Sequence, residues 1–150
     1  MANENNKNGG IGLGLLPELV GYQLRRAQIQ TFQHFASNLD GEDMRPGWFG
    51  LLIIVANNPG LSQTQLARSL GIDGSTMVAM IDRMEEKDWV RRERSKTDRR
   101  SHALKLTESG SALLDQVTPK VLAHDTAIAQ SLSDDERAEL LRLLRKVTGV

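Results

Sequence analysis

Cysteine is absent from the 150 residues. Disulfides, thiolate metal sites and thiol-based redox sensing are therefore excluded. Net charge is missing too, since 19 Lys and Arg balance 19 Asp and Glu. A neutral chain is a poor indiscriminate binder of nucleic acid, because nonspecific binding is largely phosphate neutralisation. No apolar run is long enough to span a bilayer. The polar start, Met1 to Gly10, lacks the apolar stretch of a secretion signal. A cytoplasmic location without a membrane partner is expected. The three histidines, His34, His102 and His124, are not in paired metal-ligand spacing. No Gly-rich phosphate loop, nucleophile elbow or convergent His–carboxylate spacing occurs. The motif content points away from an enzyme and implies neither a metal nor a cofactor.

What is present is ordinary globular material, 39% hydrophobic and 25% charged. That suits one domain with a real core. Residues 1–12 read as a disordered tail and 13–150 as a single domain. From Leu15 to Asn38 the spacing predicts a long helix with Pro17 in its first turn. Leu16, Val20, Leu24, Ala27 and Phe35 share one side, and Tyr22, Ile29, Phe32 and Ala36 form a second strip. So much apolar circumference predicts burial against more than one neighbour. A short helix over 47–57, apolar nearly all round, ends at Asn58-Pro59-Gly60.

Residues 61–110 carry the functional pattern. Ser62 with Gln65 is a capping box that opens a helix, and Gly71 closes it. Asp73 can cap the next helix. There Met77, Met80, Ile81 and Met84 share a core face, while Ser75, Thr76, Ala79, Asp82, Arg83 and Glu86 face outward. Small polar residues at one end let a helix approach base edges closely. A basic run follows: Lys87, Arg91, Arg92, Arg94, Lys96, Arg99, Arg100 and Lys105, interrupted only by Asp88, Glu93 and Asp98. Trp89 to Arg92 and Ala103 to Leu106 are candidate strands, with Ser95 to Asp98 as the hairpin tip. Thr107 then caps a long helix to about Gln130, with Leu114, Val117, Val121, His124 and Ile128 forming a seam. Ser133 and Glu136 form another capping box before a last amphipathic helix. The fold class is mainly α with a small β-wing. Residues 46–107 make a winged helix-turn-helix lobe, and 13–40 and 108–150 a helical dimerisation region.

Three segments together resemble the MarR family of bacterial transcription regulators. They are Leu61 to Ala67, Met80 to Glu85, and Asp98 to Gly110 with its Asp-x-Arg and Leu-Thr-x-x-Gly pattern. One departure is Lys87-Asp88-Trp89, where the family commonly has Gly before the strand; Asp tolerates a left-handed backbone. The resemblance implies an obligate homodimer whose paired recognition helices enter successive major grooves of palindromic double-stranded DNA. The apolar first helix and the Val117–Val121 seam support this, since a lone monomer would expose them. The implied DNA contacts are Ser62, Gln63, Thr64, Ser75, Thr76, Ala79, Arg83, Arg94, Lys96, Arg99 and Arg100. Arg83 can reach guanine with two hydrogen bonds or take a phosphate instead. Asp82, repelled by phosphate, is expected to pair with Arg92, and Asp98 with Arg100, bracing the wing.

The same resemblance implies a small-molecule effector and, most commonly, repression. Gly21 to Ala27 is similar to a subgroup responding to aromatic acids and hydroxycinnamoyl-CoA thioesters. Tyr22, Arg25, Arg26, Gln30, His34, Arg45, Trp48 and Phe49 are the candidate effector residues. Arginine suits carboxylate or phosphate, and Trp48 or Tyr22 suits a ring. The bland alternative is that Trp48 and Phe49 are core and the arginines form structural ion pairs. Architectural DNA binding, or a protein-interaction module without an effector, is the competing function.

Overall fold

The computed structural model describes residues 11–38, 44–94 and 102–149. The first helical segment is split. Leu16–Glu18 is a single 3-10 turn, closed by the Leu19 N–H on the Leu16 carbonyl at 3.1 Å. Leu19 is extended, and the α-helix proper, α1, spans Val20–Asn38. The predicted start at Leu15 thus lies five residues before that of α1.

Helix α2, Pro46–Asn57, starts with proline at its first position, where no backbone donor is needed. It buries Trp48, Leu51, Leu52 and Val55. Its end is closed by Asn57 and Asn58, whose side-chain amides donate to the Ile53 and Ile54 carbonyls at 2.8 Å each. Helix α3, Gln63–Leu70, opens with the full Ser62–Gln65 capping box and closes on left-handed Gly71. Helix α4, Gly74–Glu86, is capped by Asp73. Strands β1, Val90–Arg94, and β2, His102–Leu106, pair antiparallel with Val90 opposite Leu106 and Arg94 opposite His102. The Leu104 N–H donates to the Leu61 carbonyl at 2.8 Å, which ties this ribbon to the start of α3. Helix α5, Glu108–Ile128, is capped by Thr107, and α6, Asp134–Thr148, by the Ser133–Glu136 box.

The core centres on the helix-turn-helix lobe and takes in Phe35 of α1 and Leu114 and Val117 of α5. Leu51, Leu52, Leu66, Met77, Ile81, Met84, Val90, Leu104 and Val117 are fully buried there. Met77, Ile81 and Met84 confirm the inward face of α4, with Met80 half-buried against it.

Val117 corrects one expectation. It is 0% exposed in a single chain and belongs to that chain's own core, with Val121 packed beside it. The α5 seam from Leu114 to His124 therefore does not wait for a partner. The unpartnered apolar surface lies elsewhere. On α1 it is Leu24, Ile29 and Phe32, on α5 Leu122 and Ile128, and on α6 Leu140, Leu141, Leu143 and Val147. Helix α6 buries no residue at all. Among the described residues, no helix is long and apolar enough to cross a membrane.

Candidate nucleic-acid interface

The outward face of α4 is open along its length. Ser75, Thr76, Ala79, Asp82, Arg83 and Glu86 are all exposed. The Asp73 carboxylate organises its first turn. It accepts from the Thr76 N–H at 2.9 Å and from the Ser75 and Thr76 hydroxyls at 2.5 Å each. Led by the Ser75 hydroxyl, these donors hold the Asp73 carboxyl far below the usual carboxylate range.

One side chain fixes the wing against this helix. Arg92, on β1, places Nη1 2.7 Å from Asp82 and also pairs with Glu85. Its Nε and Nη2 donate to the Gln63 side-chain oxygen at 3.3 and 3.0 Å. The Arg92 N–H donates to Glu85 at 2.7 Å. A single guanidinium thus joins β1, α3 and α4, and the Asp82–Arg92 pair forms. Glu85 was not foreseen in it. The available signal was its place three residues after Asp82, one turn along the same helix face. Gln63, read as a DNA contact, has its carbonyl oxygen engaged by Arg92, and Ser62 spends its hydroxyl on the α3 cap. Thr64 is exposed beside them.

On the ribbon, Glu93 lies 2.9 Å from Arg91 and 2.6 Å from Lys105. The Lys105 ammonium, first of all, lowers the Glu93 carboxyl below its ordinary range. Part of the basic run is therefore neutralised within the wing. Arg94 stands exposed at the last position of β1, opposite His102. Lys96, Asp98, Arg99 and Arg100 lie outside the described residues.

The eight candidate effector residues fall into separate places. Gln30 and His34 line a cavity of about 510 Å³ between α1, the end of α5 and α6, together with Asp125, Arg137, Leu140 and Leu141. Arg45 and Trp48 instead line a cleft of about 190 Å³ against Thr76, Ala79, Met80 and Arg83 of α4. The Arg45 guanidinium sits over the buried Trp48 ring, 5.2 Å from its centroid, and Trp48 meets Trp89 edge-on at 5.7 Å. Tyr22 carries the Arg26 guanidinium over its ring at 5.9 Å, on neither cavity. Arg25 is exposed, and Phe49 packs half-buried against the core.

His34 has a partner that its sequence position concealed. Its Nδ1 lies 2.6 Å from Nδ1 of His124, so one ring donates and the other accepts. His124 is 6% exposed, with Phe35 edge-on at 5.3 Å. Burial, and then the His34 charge, make it less basic than an ordinary imidazole.

Comparison with known proteins agrees with this arrangement. Residues 42–101 match the MarR family. A Thauera aromatica protein described as a transcriptional regulatory protein for the hcr operon is 39% identical over 129 residues, covering 85% of this chain and 78% of the relative. A structure of the transcriptional repressor CouR bound to a 23-mer DNA duplex superposes with a TM-score of 0.87 at 37% identity, over 92% of this chain and 98% of that one. A second structure of CouR, bound to p-coumaroyl-CoA, gives 0.85 at 35% identity, over 92% and 97%. With the helix order, the wing and these relatives in agreement, the chain belongs to the MarR family of winged helix-turn-helix transcription regulators.

Proposed function

We propose that the chain works as a homodimeric, sequence-specific DNA-binding regulator, a repressor released from a palindromic operator by an aromatic acid or aromatic acyl-CoA. The observation that carries this is the open face of α4, held at a fixed angle to the wing by Arg92. A rigid brace sets where a recognition helix meets a groove. The DNA-bound relative at 37% identity supports double-stranded DNA as the partner. The apolar faces of α1 and α6 support a second copy of the chain, which would set the two α4 helices about one helical turn apart, ~34 Å. The p-coumaroyl-CoA-bound relative supports the effector class. In this chain the Gln30–His34 cavity and the Arg45–Trp48 cleft offer apolar walls beside cations. The action is binding and release in the cytoplasm, with no chemical step.

Duplexes enriched from a random pool supply the operator, and fluorescence anisotropy measures its binding. The expected result is tight binding at near-physiological salt that falls as p-coumaroyl-CoA or a free aromatic acid is added. Enrichment of no sequence would refute regulation at an operator. Enrichment without any response to these compounds would remove the effector from the reading.

A further inference from the structure

The hydrogen bonds at the start of α4 restrict what that helix can read. Ser75 and Thr76 are exposed on the proposed recognition face, yet neither hydroxyl proton points outward. Both are donated to Asp73, to Oδ1 from Ser75 and to Oδ2 from Thr76, at 2.5 Å each. A carboxylate has no proton of its own, so it can only accept, and each hydroxyl gives it its single proton. Turning either proton toward a phosphate or a base oxygen would strip the carboxylate of a donor, and beside a phosphate would leave it facing another anion. That exchange is unfavourable. What the two hydroxyls show to DNA is lone pairs.

In the major groove only two bases offer a hydrogen-bond donor, adenine through N6 and cytosine through N4. Guanine and thymine present acceptors there. The neighbouring groups separate the two remaining pairs. Thr76 carries a methyl group, and Ala79, one turn on, lines the same cleft as Thr76 and Arg83. Small apolar groups suit the thymine 5-methyl, which a C·G pair lacks. We propose that Ser75 and Thr76 form an acceptor-only edge, fixed by Asp73, that selects an A·T pair through the adenine amino group and the thymine methyl. Asp73 acts through the hydroxyls and is a positioning residue. Arg83, two turns along the same face, keeps its donors for guanine or a phosphate.

This rests on α4 being the recognition helix, and the test keeps the two ideas apart. Duplexes enriched from a random pool by the full chain define a half-site. Adenine is then replaced by purine, which lacks the amino group, one position at a time. At one position of each half-site the wild-type affinity should fall about tenfold. In Asp73→Asn the side chain still caps the helix. Its amide can donate, which frees a hydroxyl proton to face outward. The penalty for purine should shrink to less than about twofold, with guanine newly tolerated there. Circular dichroism and melting temperature check that the variant stays folded. If a half-site is enriched but no amino group matters, or Asp73→Asn keeps the wild-type base preference, the acceptor edge is wrong while α4 still reads DNA. If no sequence is enriched, the recognition-helix reading fails, and this one with it.

Discussion

Arg92 shows how much one side chain can hold in place. It is mostly buried, at 22% side-chain exposure, and touches Asp82, Glu85 and Gln63. Arg92→Ala should lower stability by about 1.5–3 kcal/mol, the scale for hydrogen bonds to charged groups, as read from urea unfolding. Operator affinity should fall further than stability explains, because the wing loses its angle. Arg92→Lys keeps the charge but not the planar fork, so it should recover only part of either loss. His124 makes a second prediction. The folded chain holds it less basic than a free imidazole near 6.5, so the unfolded chain takes up the extra proton first. Stability is then full above that pH and declines as the pH drops below it. Urea midpoints measured across mildly acidic pH should show the decline, and His124→Gln should flatten it. Asp125, on the same helix, opposes the shift and limits its size. At this scale the sequence was half legible. Asp82 with Arg92 followed from charge logic, because a carboxylate on a DNA-facing helix needs a nearby cation. The His34–His124 contact spans 90 residues, and no local pattern encodes which helix faces bring them together.

Among elements, the local signals were the dependable ones. Ser62, Asp73, Thr107 and Ser133 all cap the helices they were expected to cap. A cap is a contact across two or three residues and needs no knowledge of the fold. Asp88 is similar. It takes φ 55°, in the left-handed region that favours glycine. Asp88→Val should cost about 1–2 kcal/mol, the penalty for a side chain in that region, and Asp88→Gly should be neutral or stabilising. The junction that follows it needed the structure. Thr107 donates its hydroxyl to the Asp88 carbonyl and its N–H to the Trp89 carbonyl. Gly110 lies so close that an added Cβ would fall 1.9 Å from the Trp89 carbonyl oxygen. Gly110→Ala must push the start of α5 off the wing and should cost about 3 kcal/mol, the upper range for overpacking. Thermal melts of the variant test this. The glycine of the Leu-Thr-x-x-Gly pattern was visible in the sequence, but its reason, contact with a backbone 21 residues earlier, was not. The split of the first helix at Leu19 was missed because an apolar period continues through a 3-10 turn without a break.

For the whole molecule the question is what covers α1 and α6. Phe32 is 50% exposed and Val147 61%, on helices whose polar faces already meet water. Apolar surface on this scale marks an interface. The sequence signalled it in the broad apolar girth of α1, but misplaced part of it on α5. Val117 turned inward because α5 packs along α2 and the ribbon, a tertiary choice that periodicity cannot report. Leu141→Glu should weaken self-association at least a hundredfold, since it buries a charge in place of a leucine. Analytical ultracentrifugation would show monomers where the wild type sediments as a dimer, with operator binding lost alongside.

The most direct test of the central claim is a competition titration. A duplex enriched from the random pool is set against its scrambled counterpart at near-physiological salt, with wild type and Arg83→Ala. The expected result is two chains per duplex and a preference of about a thousandfold or more, reduced sharply by Arg83→Ala while the protein stays folded. A ratio near one for the wild type would contradict the account of α4 as the helix that reads DNA, and an undiminished ratio for Arg83→Ala would make Arg83 a phosphate contact that carries no sequence information.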